Sequence, residues 1–168
     1  MVDLKPCTIH YEFIQKLNIP AQRAFSWCTD YYPSDVALMQ EKNATRKVQR
    51  IADGVVILID TFVDDWGKSI EKQKLVCLYP ARLTWTGTHL TGPNKHSQFL
   101  YEISALSEGK SQLKFTASSL EYQIENKTDA EKRGIELKKT DSETWRLLAH
   151  EMEKEIAHET TQESPCDR

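Results

Sequence analysis

The sequence has few cysteines, and none of them stands at the spacing that metal or redox sites use. The four cysteines are Cys7, Cys28, Cys77 and Cys166. They form no Cys-x-x-Cys pair, and a chain of 168 residues does not need disulfides to hold a core. The zinc-helix pattern that begins at His150 fails, because Lys154 stands where the second ligand would be. The sequence therefore predicts reduced thiols, no metal site and no cofactor.

The chain also lacks an excess of positive charge and any long apolar segment. Its 22 Lys and Arg residues are scattered among 25 Asp and Glu residues, which gives a net charge of -3. This balance offers no basic surface to a nucleic acid. The longest aliphatic run, residues 55–59, is too short to span a bilayer, and the N-terminus has no secretory pattern. We expect a cytoplasmic protein with no nucleic-acid partner and no integral membrane segment, with one domain over residues 1–160 and a disordered tail over 161–168.

What the chain does contain is a long series of strand patterns. Ile9, Tyr11 and Phe13 alternate with other residues and predict a half-buried first strand. After residue 43, turn signals separate further strands, and Asp53-Gly54 is the clearest hairpin turn among them. The further predicted strands are Thr45–Ala52, Val55–Val63, 68–78, 82–90, one with Ser97, Phe99, Tyr101 and Ile103 on a single face before a turn at 107–110, and 113–124. The sequence thus predicts seven strands.

The last predicted strand changes its apolar parity part-way along. Leu113, Phe115 and Ala117 share one face, whereas Leu120 belongs to the other. One extra residue in a strand exchanges its two faces, so this change predicts a β-bulge near residues 117–119. With that bulge, Glu121 would face solvent.

Three helices are predicted. Pro20 suits the first turn of a short helix over residues 21–28, and a second short helix begins at Pro33 or Ser34. Near the C-terminus, Thr140 and Glu143 have the spacing of a capping box, which predicts a helix over residues 142–158. Its apolar stripe consists of Trp145, Leu148, Met152 and Ile156. Residues 125–139, which are rich in charge, are expected to be partly helical.

This order of elements predicts a fold and a hollow. An antiparallel sheet that ends in a single helix must bury the apolar stripe of that helix against its own concave face. One helix cannot fill the concavity of a strongly bent seven-stranded sheet. The sequence therefore predicts an α+β fold with an internal cavity.

A known superfamily shares this order. The segment over residues 19–30, Ile-Pro-Ala-Gln-Arg-Ala-Phe-Ser-Trp-Cys-Thr-Asp, resembles the apolar-Pro-Ala-x-x-x-Phe/Trp…Asp opening of the START-like, or SRPBCC, superfamily. That superfamily includes Bet v 1 proteins and polyketide cyclase/dehydrase-like proteins. The resemblance implies the helix-grip fold, in which a curved seven-stranded antiparallel sheet wraps the last helix and leaves an elongated apolar cavity. It also implies a range of functions, because subfamilies include lipid and hormone carriers, aromatic cyclases, co-chaperones and oxygenase domains.

Side chains on the inward face of the predicted strands and of the last helix could bind a ligand in such a cavity. The candidates are Trp85, His89, Phe99, Tyr101, Phe115, Trp145, Leu148 and Met152. For any one aromatic residue the alternative is simple core packing. His89 is the leading polar candidate, because it shares a face with Trp85; alternatively it is exposed beside the turn that follows, or bonded to backbone. Asp60 is predicted to face outward, which leaves Glu121 without a second carboxylate for acid–base work.

Three functions fit these predictions. The first is a carrier or sensor that binds an apolar small molecule, lipid-like or polycyclic, in the cavity. The second is an enzyme of the cyclase or dehydratase kind, in which His89 and Tyr101 move protons on the bound molecule. The third is a co-chaperone-like domain that binds another protein through the outer face of the sheet.

Overall fold

The fold is one curved antiparallel sheet with a long helix at the C-terminus. The computed structural model describes residues 6–39, 43–63, 66–92, 94–122 and 124–162. In chain order the elements are β1 (Cys7–Leu17), α1 (Ala21–Thr29), a first 3₁₀ helix (Pro33–Met39), β2 (Thr45–Ala52), β3 (Val55–Val63), β4 (Ser69–Tyr79), a second 3₁₀ helix (Pro80–Arg82), β5 (Thr84–His89), β6 (Gln98–Ser107), β7 (Lys110–Glu121) and α2 (Lys127–Gln162). The predicted α+β helix-grip architecture is confirmed. No helix in this part of the chain is both long and apolar enough to cross a membrane.

The sheet places the first strand beside the last. Its strand order is β1-β7-β6-β5-β4-β3-β2, and every neighbouring pair is antiparallel. β1 and β2 are therefore the two edges, although they are consecutive strands in the sequence. The connection formed by α1 and the first 3₁₀ helix carries the chain from one edge to the other. That crossing covers one opening of the concave face.

α1 forms where the sequence predicts a short helix. Pro20 has an extended conformation at its N-cap, where the missing N–H of proline costs nothing. Ala21, Ala24 and Phe25 lie on one face of the helix and are buried. This face packs against β6 and β7, so α1 closes the core at that side of the sheet.

α2 is longer than the sequence predicts. It begins at Lys127 and runs without interruption to Gln162, so the predicted start at residue 142 is wrong. Asn126 caps it: its Oδ1 accepts a hydrogen bond from the backbone N–H of Asp129 at 3.0 Å, and its Nδ2 donates to the Asp129 carboxylate at 2.6 Å. Thr140 lies inside the helix, where its carbonyl accepts from the Thr144 hydroxyl at 3.0 Å. The predicted tail lies outside the described residues from 163 onward.

The predicted β-bulge in the last strand is also wrong. β7 pairs with β1 in an unbroken register from Cys7↔Glu121 to Leu17↔Ser111. Ser119 is consequently buried, and its hydroxyl donates to the Glu121 carboxylate at 2.9 Å. Glu121 in turn accepts from Arg133 of α2 at 3.1 Å. Ser119 is thus hydrogen-bonded on the inner face, and the Glu121 carboxylate that it contacts is paired with Arg133.

α2 packs most extensively against one edge of the sheet. It packs against β1, where a Cβ at Gly134 would lie 3.2 Å from the Cγ2 of Ile9. The Tyr11 hydroxyl donates to Asp141 at 2.6 Å, and the backbone N–H of Asn18 donates to Glu153 at 2.9 Å. These bonds hold the helix beside β1 over most of the strand. The strand at the other edge, β2, packs instead against the first 3₁₀ helix.

Candidate functional site

A cavity of about 680 Å³ lies between the inner face of the sheet, the connection after β1, and α2. Its walls include Leu58 of β3, Tyr31 and Tyr32 after α1, and Thr144 of α2. Small-molecule sites in proteins have volumes of about 300–1,000 Å³, so this hollow is large enough for a ligand.

Stacked aromatic rings form one wall of the cavity. The rings of Trp85 and Tyr101 lie parallel, at 4° between their planes, with centroids 4.8 Å apart. Phe115 meets Tyr101 edge-on at 5.1 Å, and Trp145 of α2 approaches Trp85 to 6.3 Å. The pairing Trp85↔Tyr101 between β5 and β6 produces this stack, because paired residues of adjacent strands share a face.

Seven of the eight predicted ligand-binding residues line the cavity. They are Trp85, His89, Phe99, Tyr101, Phe115, Trp145 and Leu148. Met152, the eighth, is 0% exposed and packs in the core instead. Asn18 and Trp27 donate hydrogen bonds to Glu153 and Glu155 on the next residues of α2. Asn18 and helix α1 thus contact this turn of α2, where Met152 is part of the hydrophobic core.

Charged side chains form a second wall, on β2, β3 and β4. Arg46 donates from Nε and from a terminal nitrogen to the two oxygens of Asp60, at 2.6 and 2.8 Å. The prediction that Asp60 faces outward is therefore wrong. Val56 and Leu58 of the same strand are each 1% exposed, so every second residue from Val56 points inward, Asp60 included.

Lys74 lies on the inner face of β4 between uncharged neighbours. Its partners in register are Leu58 of β3 and His89 of β5. Its alkyl chain crosses Gly87, where a Cβ would lie only 3.3 Å from the Cδ of Lys74. Burial, together with the charge of Arg46, lowers the pKa of Lys74 to about 8. Glycine at position 87 thus leaves the space that the lysine side chain occupies.

His89 borders the cavity as a neutral ring. Its edge meets the ring of Phe99 at 5.2 Å, and its Nδ1 is buried without a hydrogen-bond partner among the described residues. Burial lowers the pKa of His89 to about 4, and the nearby charges of Lys74 and Lys72 add to this effect. The imidazole is consequently uncharged at neutral pH.

Asp141 of α2 faces the sheet across the cavity. Its carboxylate accepts the 2.6 Å hydrogen bond from Tyr11. Burial raises the pKa of Asp141, although Tyr11 and Lys74 act in the opposite direction. Burial and the bond to Asp141 raise the pKa of Tyr11 as well. Asp141 therefore holds its proton more readily than an exposed aspartate does.

Comparison with known proteins identifies the fold. No protein-family model matches the chain, and no curated protein does so. Among solved structures, the Zhui aromatase/cyclase from Streptomyces sp. R1128 has a TM-score of 0.68 at 14% identity, over 92% of this chain and 96% of its own. Ara h 8.0201 has a TM-score of 0.63 at 13% identity, over 87% and 98% of the two chains. A START superfamily protein from Mycobacterium smegmatis has a TM-score of 0.60 at 16% identity, over 89% and 98%.

The chain has the START-like helix-grip fold. Sequence analysis did not single out Arg46, Lys72 and Lys74 of the charged wall, nor Asp141 of α2. A signal was present for the two lysines, because they share strand parity with Val76 and Leu78. For Asp60 no such signal exists, since the apolar run at residues 55–59 shows no alternation. Among the described residues, no group of three His, Cys, Asp or Glu side chains could hold a metal ion.

Proposed function

We propose that this protein binds an apolar small molecule, lipid-like or polycyclic, in the cavity and acts as its carrier or sensor. The observation that supports the proposal is the hollow of about 680 Å³ beside the Trp85–Tyr101 stack. Flat aromatic walls favour flat or ring-containing ligands, because rings gain from offset stacking as well as from burial.

Burial of apolar surface supplies part of the binding free energy. If a ligand buries roughly 300 Å² of apolar surface, the transfer from water contributes about 7.5 kcal/mol. The loss of translational and rotational freedom opposes this gain by about 4 kcal/mol or more. Stacking against the rings of Trp85 and Tyr101 must therefore add to the affinity.

The structures that share the fold agree with a small-molecule role. One of them is named an aromatase/cyclase, and this name concerns that protein. For the present chain it supports a second candidate function, an enzyme that moves protons on the same ligand. Titratable groups that reach the cavity favour this candidate.

The acid–base pair suggested by the sequence is poorly suited to that chemistry. The pKa of His89 is lowered to about 4, and burial raises the pKa of Tyr101, so both lie far from neutrality. Lys74, with a pKa of about 8, and Asp141, with a raised pKa, are closer to it. An enzyme built on this cavity would therefore use Lys74 and Asp141.

The binding proposal is tested with an apolar fluorescent probe, N-phenylnaphthylamine, and a pair of adjacent leucines. Leu148 lines the cavity, whereas Leu147 is 37% exposed on the other side of α2. We expect Leu148→Trp to fill the hollow and to weaken probe binding about tenfold or more, because overpacking removes the space for the ligand. Leu147→Trp is the matched control and should bind within about twofold of the parent protein.

Native mass spectrometry of the freshly purified protein provides a second measurement, since a retained small molecule would appear as a mass increment. If the parent protein binds no apolar probe, the proposal is wrong. Equal weakening by the two tryptophan variants would also contradict it, because the site would then lie outside the cavity.

A further inference from the structure

The sheet side of the cavity carries more positive than negative charge. Arg46, Lys72 and Lys74 stand on neighbouring strands around one carboxylate, Asp60. Both oxygens of Asp60 are engaged by Arg46 at 2.6 and 2.8 Å. Asp60 is therefore already paired with one cation, and no hydrogen bond or ion pair joins it to Lys74 in the described part of the chain.

Most carboxylates on the opposite walls have hydrogen-bond partners of their own. Four of the five accept a hydrogen bond from a side chain or a backbone N–H, and for the fifth, Asp30, burial raises the pKa to about 6. The four hydrogen bonds are Tyr11 to Asp141, the Tyr32 backbone to Asp35, Trp27 to Glu155 and Arg23 to Glu159. Among the described residues, no ion pair or hydrogen bond engages the Lys74 ammonium. The Lys74 ammonium is thus a cation in the cavity that could still bind an anion.

The position of Lys74 also determines where the rest of such a molecule would lie. Gly87, which the lysine crosses, stands between Trp85 and His89 on the inner face of β5. A Cβ at Gly87 would lie 3.8 Å from the ring of Tyr101. An oxyanion at Lys74 would therefore be adjacent to the Trp85–Tyr101 stack, with its apolar part free to lie against the rings.

We propose that the ligand of this cavity is a ring-containing apolar molecule with one acidic oxygen group, a carboxylate or a comparable oxyanion, which Lys74 binds. This inference rests on the proposed function and adds the chemical class of the ligand. An ammonium withdrawn from water has lost part of its hydration, and an anion beside it restores a charge-assisted hydrogen bond in a medium where that bond is strong. The lowered pKa of Lys74 agrees with an unneutralised cation.

Two probes with a common skeleton test the inference. Anilinonaphthalene sulfonate carries an oxyanion, and N-phenylnaphthylamine has the same rings without it. We expect Lys74→Met to weaken binding of the sulfonate about tenfold or more, as expected for the loss of a hydrogen bond to a charged group. Binding of the neutral probe should stay within about twofold or become tighter, because methionine is apolar and similar in length.

Two control variants accompany this test. Lys74→Arg keeps the positive charge and should retain much of the preference for the sulfonate. Lys114 lies on the outer face of β7 in an ion pair with Glu12 at 3.2 Å, so Lys114→Met removes the same charge away from the cavity. It should leave the affinities for both probes unchanged.

A measurement on the parent protein makes the test independent of any folding defect in the variants. NMR titration of the Lys74 side chain should show its pKa rising when the sulfonate binds and remaining low when the neutral probe binds. If Lys74→Met weakens both probes equally, or if the pKa of Lys74 does not respond to the sulfonate, the inference is wrong while the proposed function stands. If neither probe binds the parent protein, the proposed function fails and the inference fails with it.

Discussion

At the scale of single residues, the inner face of the sheet holds polar groups that the fold does not fully satisfy. The Nδ1 of His89 has no hydrogen-bond partner among the described residues, and Lys74 is flanked in register by uncharged side chains. Such groups reduce stability, because the folded protein withdraws them from water without an equal replacement. Residues of this kind are expected where a ligand supplies the missing partner.

Lys74→Met should therefore stabilise the protein at neutral pH. The pKa of Lys74 is about 8 in the folded chain and 10.5 in the absence of the fold, so the unfolded state binds more protons between these values. Stability of the parent protein should then rise with pH across that window. The variant does not bury a charged ammonium, so its free energy of unfolding at pH 7 should exceed that of the parent by on the order of 1–2 kcal/mol. The difference should shrink as the pH approaches 10.5.

Urea unfolding at several pH values measures this difference. Lys114→Met provides the control, because Lys114 is an exposed residue in a surface ion pair, and its removal should change stability by less than about 1 kcal/mol. A Lys74→Met variant that is less stable than the parent at pH 7 would show that a neighbour already compensates the ammonium.

At the scale of elements, the length and the position of α2 decide the shape of the cavity. Arg133 and Asp141 of the helix bond to the sheet, and Glu153 accepts a hydrogen bond from Asn18 directly after β1. From Asp141 to Glu153 a helix rises about 18 Å, and from Tyr11 to Asn18 a strand rises about 23 Å. The two elements therefore run along each other over a comparable length. This arrangement keeps α2 near β1 and away from the strands that carry the charged wall.

The start of α2 gives a prediction that separates two candidate caps. Asn126→Ala should lower the free energy of unfolding by about 1 kcal/mol, because it removes the hydrogen bond from Asn126 Oδ1 to the Asp129 N–H. Thr140→Ala should cost little or be slightly stabilising, since alanine is the better helix former inside a helix. Thermal and urea unfolding of both variants measure the effects. If Thr140→Ala proved the more damaging change, α2 would begin near residue 142.

At the scale of the whole molecule, the cavity is the space that distant segments leave between them. Its walls come from β2 to β7, from the connection after β1 and from α2, which together span residues 27 to 159. A ligand in it would contact most of these elements at once. Binding should consequently stabilise the entire fold.

A bound apolar probe should raise the unfolding temperature. At a free probe concentration of 100 times its dissociation constant, binding to the folded state alone adds about 2.7 kcal/mol to the free energy of unfolding. For a chain of 168 residues this corresponds to a shift of roughly 5–10 °C. Calorimetry with N-phenylnaphthylamine measures it. Leu148→Trp should show a much smaller shift, and equal shifts for the variant and the parent would contradict binding in the cavity.

Local patterns in the sequence were enough to determine most of the elements. The strands Thr45–Ala52 and Val55–Val63 have the predicted bounds, because a period of two and the glycine of Asp53-Gly54 act between near neighbours. Pro20 likewise determined the start of α1. Seven of the eight predicted ligand-binding residues line the cavity. Strand parity gives the inward direction of five of them, and the helical period gives that of Trp145 and Leu148 on α2.

Tertiary structure decided the features that depend on distant partners. The burial of Ser119 without a bulge requires Glu121 to meet Arg133, and the inward Asp60 pairs with Arg46 on another strand. α2 continues through its charged N-terminal half because bonds such as the one from Tyr11 to Asp141 hold it against β1. Sequence periodicity reports which residues share a face. It does not report which charged side chains pair across the fold. Such pairs, as between Arg46 and Asp60, form the charged wall of the cavity.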